Sequence, residues 1–285
     1  MKEEGYNLKY IIGTRGSKLA LYQANFVKDK LENLGYKCEI KIIKTSGDKN
    51  QSSFSEIPLK KLFVKEIEEE LLEGKIDLAV HSMKDMPYEE VEGLCMGAFP
   101  DREDPRDAII VERPLKIIGT GSERRKIIAK EIYSEAQILP IRGNVDTRIE
   151  KMKNGDYDGI ILASAGLKRL GLKDKITKYF EVEEMVPSPC QGIIGVQCRK
   201  NDVKVLDILR KIDKEEIRKI VEIERLYGEL YNGGCKNPVG AYAEKIENIY
   251  KIYTMRVSND KLKKNIFEID EFDIEKIKIE FMTKG

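Results

Sequence analysis

The sequence predicts an α/β fold with largely parallel sheets, and three observations carry that reading. Short apolar runs such as Tyr10-Ile11-Ile12, Ile76-Asp77-Leu78-Ala79-Val80 and Ile160-Ile161-Leu162 alternate with segments of helical period. Glycine turns, Gly13-Thr14-Arg15-Gly16-Ser17 and Gly119-Thr120-Gly121-Ser122, each stand between a strand and a helix. The same order restarts after a charged, proline-bearing linker at 100–105, so the segments on either side of it read as two related α/β units.

Tyr10-Ile11-Ile12 is a short buried strand. The helix after its turn carries Leu19, Ala20, Phe26, Val27, Leu31 and Leu34 at helical spacing, and Gly35 closes it. Cys38, Ile40 and Ile42 alternate as a strand. Residues 62–72 are helical and end at Gly74, and the 76–80 strand leads directly into His81-Ser82-Met83-Lys84-Asp85. In the second unit, 115–118, 137–141 and 159–162 are strands, while 123–133 and 145–153 are helices, the latter stopped by Asn154-Gly155. From about residue 215 a helix (Ile217, Ile220, Val221) and an alternating stretch (Tyr253, Met255, Val257) suggest a small α+β domain.

Composition removes several function classes. The chain of 285 residues holds 51 Lys+Arg against 50 Asp+Glu, a net charge of +1, whereas a dedicated nucleic-acid binder carries a basic excess. With one histidine, His81, a His-rich zinc site is excluded, and a Ser-His-Asp or Cys-His pair would have to use it. His81 alone reads better as a hydrogen-bonded structural residue. The five cysteines, Cys38, Cys95, Cys190, Cys198 and Cys235, are odd in number and lack CxxC spacing. The polar start has no signal-peptide core, and no apolar run reaches the roughly 20 residues of a membrane span. A cytoplasmic protein with no metal is expected.

Arginines recur where the strands end. Arg15 lies in the first glycine turn, Arg124 and Arg125 follow the second, Arg142 and Arg148 flank Gly143-Asn144-Val145-Asp146-Thr147, and Arg169 follows another strand. The carboxyl ends of strands are where open α/β sheets bind ligands, and guanidinium forks hold carboxylates bidentately. A ligand with several carboxylates or phosphates is implied, with solvated surface charge as the bland alternative. The turns lack a P-loop ending and a dinucleotide fingerprint, and Ser17 and Ser122 also read as plain helix caps. Lys84 and Asp85 form either a local ion pair or a carboxylate able to steady developing positive charge or move a proton. Cys235, in Asn232-Gly233-Gly234-Cys235-Lys236-Asn237-Pro238, is either a loop thiolate favoured by Lys236 or an incidental thiol.

These segments, with Leu62-Phe63-Val64-Lys65-Glu66, His81-Ser82-Met83-Lys84-Asp85-Met86-Pro87, Arg102-Glu103-Asp104-Pro105-Arg106-Asp107, Ala165-Gly166-Leu167-Lys168-Arg169-Leu170-Gly171 and Gly233-Gly234-Cys235, occur in an order that resembles the porphobilinogen deaminase (hydroxymethylbilane synthase) family. The resemblance runs from about 11 to 243. It implies three α/β domains: 1–100 with 193–213, then 105–188, the two resembling type II periplasmic binding proteins, and 216–285, a small α+β domain with an antiparallel sheet. It implies a dipyrromethane cofactor, thioether-linked to Cys235, on which four porphobilinogen units are joined with loss of ammonia before hydrolysis releases hydroxymethylbilane. It assigns Asp85 to catalysis, Lys84, Ser122, Arg124 and Arg125 to the cofactor, and Arg15, Ser17, Arg142, Arg148, Arg169, Gln191 and Gly192 to substrate. A monomer without nucleic-acid or membrane partners is expected. The sequence departs from the family where Pro58-Leu59-Lys60-Lys61 replaces a glycine-rich run, where Gly121 replaces a common serine, and at Cys190.

Overall fold

The structure, a computed structural model, describes residues 9–46, 63–231, 238–258 and 261–284. Its first elements are β1 (Lys9–Thr14), α1 (Lys18–Glu32), β2 (Lys37–Ile42), α2 (Lys65–Leu72), β3 (Leu78–Ser82) and β4 (Leu94–Arg102). Then come β5 (Asp107–Val111), β6 (Ile117–Thr120), α3 (Glu123–Ile132), β7 (Gln137–Pro140), α4 (Val145–Lys153), β8 (Gly159–Ala163), α5 (Ser164–Arg169) and β9 (Lys178–Tyr179). β10 (Ile193–Arg199), α6 (Val203–Arg210), α7 (Glu215–Tyr231), β11 (Val239–Ile246), β12 (Ile249–Ser258), β13 (Lys261–Ile269) and α8 (Ile274–Lys284) follow. The chain divides into two compact units, Met1–Asp101 with Ile194–Lys214, and Arg102–Ile193 with Glu215–Gly285.

In the first unit the sheet runs β2-β1-β3-β10-β4, with β1 parallel to β2 and β3, and β10 antiparallel to β3. Ala24, Val27 and Leu31 of α1 lie at helical spacing and are buried against Ile12, Leu78, Val80 and Val196 of the sheet. Leu34, expected on that face, falls past the end of α1 and is exposed, because the helix stops at Glu32 and Gly35 turns the chain at φ +90°. Pro100, placed by sequence in a linker, sits within β4.

In the second unit the five-stranded sheet runs β7-β6-β8-β5-β9. β6 pairs in parallel with β7 and β8, and β5 is antiparallel to both of its neighbours, β8 and β9. Both sheets therefore share one plan: the second strand of a parallel trio, then the first, then the third, then an antiparallel strand and an edge strand. One apolar cluster holds Ile110, Ile149, Ile160 and Leu162; another holds Ile109, Ile118, Ile128 and Ile161, and Tyr253 and Met255 of β12 enter the latter. The unit's antiparallel sheet β11-β12-β13 is thus packed into the same core. Phe281 of α8 meets the rings of Tyr227 in α7 and Phe267 in β13 edge-on, at centroid distances of 5.0 and 5.3 Å. Among the described residues no helix is long and apolar enough to cross a membrane.

Candidate active site

In the first unit, parallel pairing brings the carboxyl ends of β1 and β3 to one sheet edge. Arg15 and Ser17 leave β1 there, and Lys84 and Asp85 follow β3. The Ser17 hydroxyl accepts from the Ala20 N–H at 3.3 Å as the N-cap of α1, which leaves its own O–H able to donate elsewhere. The Arg15 guanidinium lies over the Phe63 ring at 4.3 Å. Ser82 and Gln23 exchange hydrogen bonds at 2.8 and 3.1 Å, which ties the end of β3 to α1. Beyond Ser82 a 3-10 turn, Met83–Asp85, is pinned by buried Met83 and Met86 on either side, so Lys84 is half-buried and Asp85 exposed. His81 points the other way: it is buried and its Nε2 lies 3.2 Å from Gln197 Oε1.

In the second unit the carboxyl ends of β6, β7 and β8 lead to Ser122, Arg142, Arg148 and Arg169. Ser122 caps α3 by accepting from the Arg125 N–H at 3.4 Å. Arg142 is exposed, while Arg148 is half-buried and its Nε donates to the Gly143 carbonyl at 2.7 Å. The Arg148 guanidinium runs past Gly121, and a Cβ at 121 would stand 2.9 Å from the Ile141 carbonyl oxygen and 3.4 Å from Arg148 Nη1. Glycine at 121 thus leaves room for that arginine.

Because β5 is antiparallel to β8, its first residue, Asp107, pairs with Ala163 and lies at this same edge. Sequence reasoning missed it; the available signal was an acidic residue opening an otherwise apolar strand. Asp107 is fully buried, and Arg124 and Arg125 are 4 % and 6 % exposed. Arg124 Nη2 donates to Asp107 Oδ2 at 2.7 Å, Arg125 Nε donates to Oδ1 at 3.0 Å, and Gln191 Nε2 donates to Oδ1 at 2.7 Å. Burial pushes the Asp107 carboxyl up, but the two guanidiniums outweigh it and hold the group at about 2. Burial lowers the Arg124 pKa, with Asp107 opposing.

Gln191 is fully buried, donating also to the Pro105 carbonyl at 2.7 Å. Gly192 adopts φ +87°, where a Cβ would overlap the Glu103 carbonyl oxygen; its own carbonyl accepts from Arg169 Nη2 at 2.8 Å. Both residues, read from sequence as substrate contacts, are thus held within this unit together with Arg124, Arg125 and Arg169. One residue earlier, the Cys190 N–H donates to Glu224 Oε2 at 2.6 Å. Glu224, on α7, also accepts from Arg102 at 2.7 Å and from the Ala243 N–H of β11 at 2.8 Å. It therefore ties together the two elements that flank residues 232–237. Cys235 lies outside the described residues, as does Lys60. Cys190 and Cys198 are buried, as is Cys38, and burial pushes Cys38 to about 11 and Cys198 to about 12, which makes them poor nucleophiles. No metal-holding cluster of His, Cys, Asp or Glu occurs among the described residues.

The second unit thus carries several guanidiniums near its strand ends, and the first carries Arg15 and, on a turn flanked by buried Met83 and Met86, the exposed Asp85. Residues 10–207 match the family model described as porphobilinogen deaminase, dipyromethane cofactor binding domain. The chain is 47 % identical to the porphobilinogen deaminase of Fusobacterium nucleatum subsp. nucleatum over 92 % of its own length and 88 % of that protein's. It is 44 % identical to the porphobilinogen deaminase of Shouchella clausii, covering 84 % of this chain and 81 % of that one. Among solved structures, ytmK of Bacillus subtilis, a probable amino-acid ABC transporter extracellular-binding protein, aligns over 75 % of this chain and 94 % of its own, with a TM-score of 0.42 and 14 % identity. On the extent and identity of the sequence matches, the chain belongs to the porphobilinogen deaminase family.

Proposed function

We propose that this chain joins four porphobilinogen units head to tail, releasing one ammonia per unit, on a dipyrromethane held through Cys235, and then hydrolyses off linear hydroxymethylbilane. The observation that supports it best is the buried pair of guanidiniums, Arg124 and Arg125, facing one carboxylate at the start of a helix. A surplus of buried positive charge beside a helix N-terminus suits a ligand bearing carboxylates. Family membership does not favour an alternative function for the chain, that of a non-catalytic two-domain binding protein for a polycarboxylate small molecule.

The dipyrromethane, when bound, supplies the free pyrrole carbon to which the first unit is joined. Lys84, Ser122, Arg124 and Arg125 would hold its carboxylates. Each incoming porphobilinogen brings an acetate and a propionate, which Arg15, Ser17, Arg142, Arg148 and Arg169 receive, with Gln191 and Gly192 shaping the support beneath. The Asp85 carboxylate accepts from pyrrole N–H groups and steadies the cation that develops as ammonia leaves, a contribution of roughly 10²–10⁴ in rate. The same reading takes the protein as a cytoplasmic monomer of three domains, 1–100 with 193–213, 105–188 and 216–285, without metal, nucleic acid or membrane.

Intact mass spectrometry tests it. The freshly purified chain should carry the increment of two linked pyrroles, and Cys235→Ser should lack it. Asp85→Asn should keep the increment and lose turnover by at least about a hundredfold. An unchanged adduct in Cys235→Ser, or full turnover in Asp85→Asn, overturns the assignment of that residue.

A further inference from the structure

Arg124 and Arg125 occupy the first turn of α3, the end of a helix where cations are disfavoured. They are also almost fully buried, so water does little to offset their charges. Each is fastened at more than one point. Arg124 donates to Asp107 Oδ2 and, through Nη1, to the Val186 carbonyl at 2.5 Å. Arg125 donates to Asp107 Oδ1, to the Ile161 carbonyl at 3.3 Å and to Gln191 Oε1 at 3.2 Å. Asp107 is common to both, and both its oxygens are engaged. The other charged group in that turn, Glu123, is exposed and pairs with Lys126, so it does not neutralise the buried pair. Two guanidiniums therefore meet one carboxylate inside the unit.

We propose that Asp107 is the positioning residue of this pair: it fixes the directions of both guanidiniums and cancels one of their two charges, so that together they take up a single ligand carboxylate. A carboxylate bridging two arginines through different oxygens sets the angle between their planes, which one arginine–carboxylate pair would leave undetermined. Without Asp107, two like charges would be left side by side in a dry site, each turning toward whatever anion is present. The proposal rests on the reading of Arg124 and Arg125 as holders of cofactor carboxylate.

The test compares Asp107→Asn, Arg124→Gln and the double variant, each with Cys235 intact and in a Cys235→Ser background. With Cys235 intact and the fold verified by circular dichroism, Asp107→Asn should lower the fraction of chains carrying the two-pyrrole increment by about tenfold, the scale of one charge-assisted bond. In the Cys235→Ser background the probe is sulfate, read as a rise in melting temperature. Asp107→Asn should respond at about tenfold lower sulfate than its parent. Arg124→Gln should lose the response, and the double variant, whose buried charge equals the parent's, should regain it. If Asp107→Asn does not fold, recovery of folding in the double variant supports charge cancellation, and its absence overturns it. Wild-type loading in Asp107→Asn, or one sulfate response across all variants, also overturns the proposal. Failure of the underlying reading looks different: Arg124→Gln would then load fully, whatever Asp107 does.

Discussion

His81, the chain's one histidine, has its charge decided by two neighbours and the lack of water. Gln197 Nε2 donates to Glu68 Oε1 at 3.0 Å, which turns its Oε1 toward His81 Nε2 and assigns that nitrogen the proton of a neutral ring. Burial pushes the ring down to about 4, with the bond to Gln197 opposing. The folded value thus lies below the ordinary 6.5, so the unfolded chain binds more protons between these limits. Stability is complete above about pH 6.5 and falls as the pH drops toward 4, by about 3 kcal/mol in all. Because the chain has one histidine, its ring proton is a single assignable NMR resonance. It should stay fixed from pH 8 to about pH 5.5 while the urea midpoint declines across the lower half of that range; an inflection near 6.5 would mean a wet ring. The same burial explains why His81 cannot serve as a general base here, and why the exposed carboxylate four residues on is the better placed group.

Among the elements, the strand–turn–helix joints were the most legible part of the sequence. α4 spans the expected 145–153, and α3 ends one residue short of expectation at Ile132, because local periodicity and glycine punctuation set these boundaries. Among the strands that went unread, β4 contains Gly97 and Pro100, and β5 opens on a charge. Their places are set by pairing with distant segments, which a local pattern does not encode. The candidate site divides in the same way. Arg142 and Ser17 stand where their turns put them, but burial of Arg124 and Arg125 depends on Asp107, 17 residues upstream, and on Gln191. The Cys190-Gln191-Gly192 turn is the clearest case of an element specified from outside itself. Gly192 combines φ +87° with a backbone approach to Glu103 that leaves no room for a Cβ, and the Glu103 N–H donates to its carbonyl at 3.0 Å. Gly192→Ala should therefore cost about 3 kcal/mol or more, read as a lower urea midpoint with unchanged slope. A loss below about 0.5 kcal/mol would show that this turn yields freely.

For the molecule as a whole, a net charge of +1 conceals an uneven interior. The second unit buries Arg124 and Arg125 around the single carboxylate of Asp107, whereas the buried carboxylate of Glu224 is paired with Arg102. An α/β sheet whose parallel strands end at one edge gathers helix N-termini there, so the backbone adds positive potential where these side chains already supply it. On the proposed reading of Arg124 and Arg125, an anionic ligand offsets the charge that Asp107 leaves uncancelled. Covalent loading should therefore stabilise the fold as well as equip it for chemistry, since a group that binds only the native state adds its binding free energy to stability. One retained charge-assisted bond contributes about 1.5–3 kcal/mol, and 1 kcal/mol moves the melting point of a chain this size by about 2–4 °C. The loaded protein should then melt roughly 3–12 °C above Cys235→Ser, by calorimetry on samples whose loading is known from intact mass. Sulfate should close part of that gap by acting on the unloaded chain alone. Equal melting points for loaded and unloaded protein would mean that the buried arginines are satisfied without a ligand, and the electrostatic account of this fold would fail.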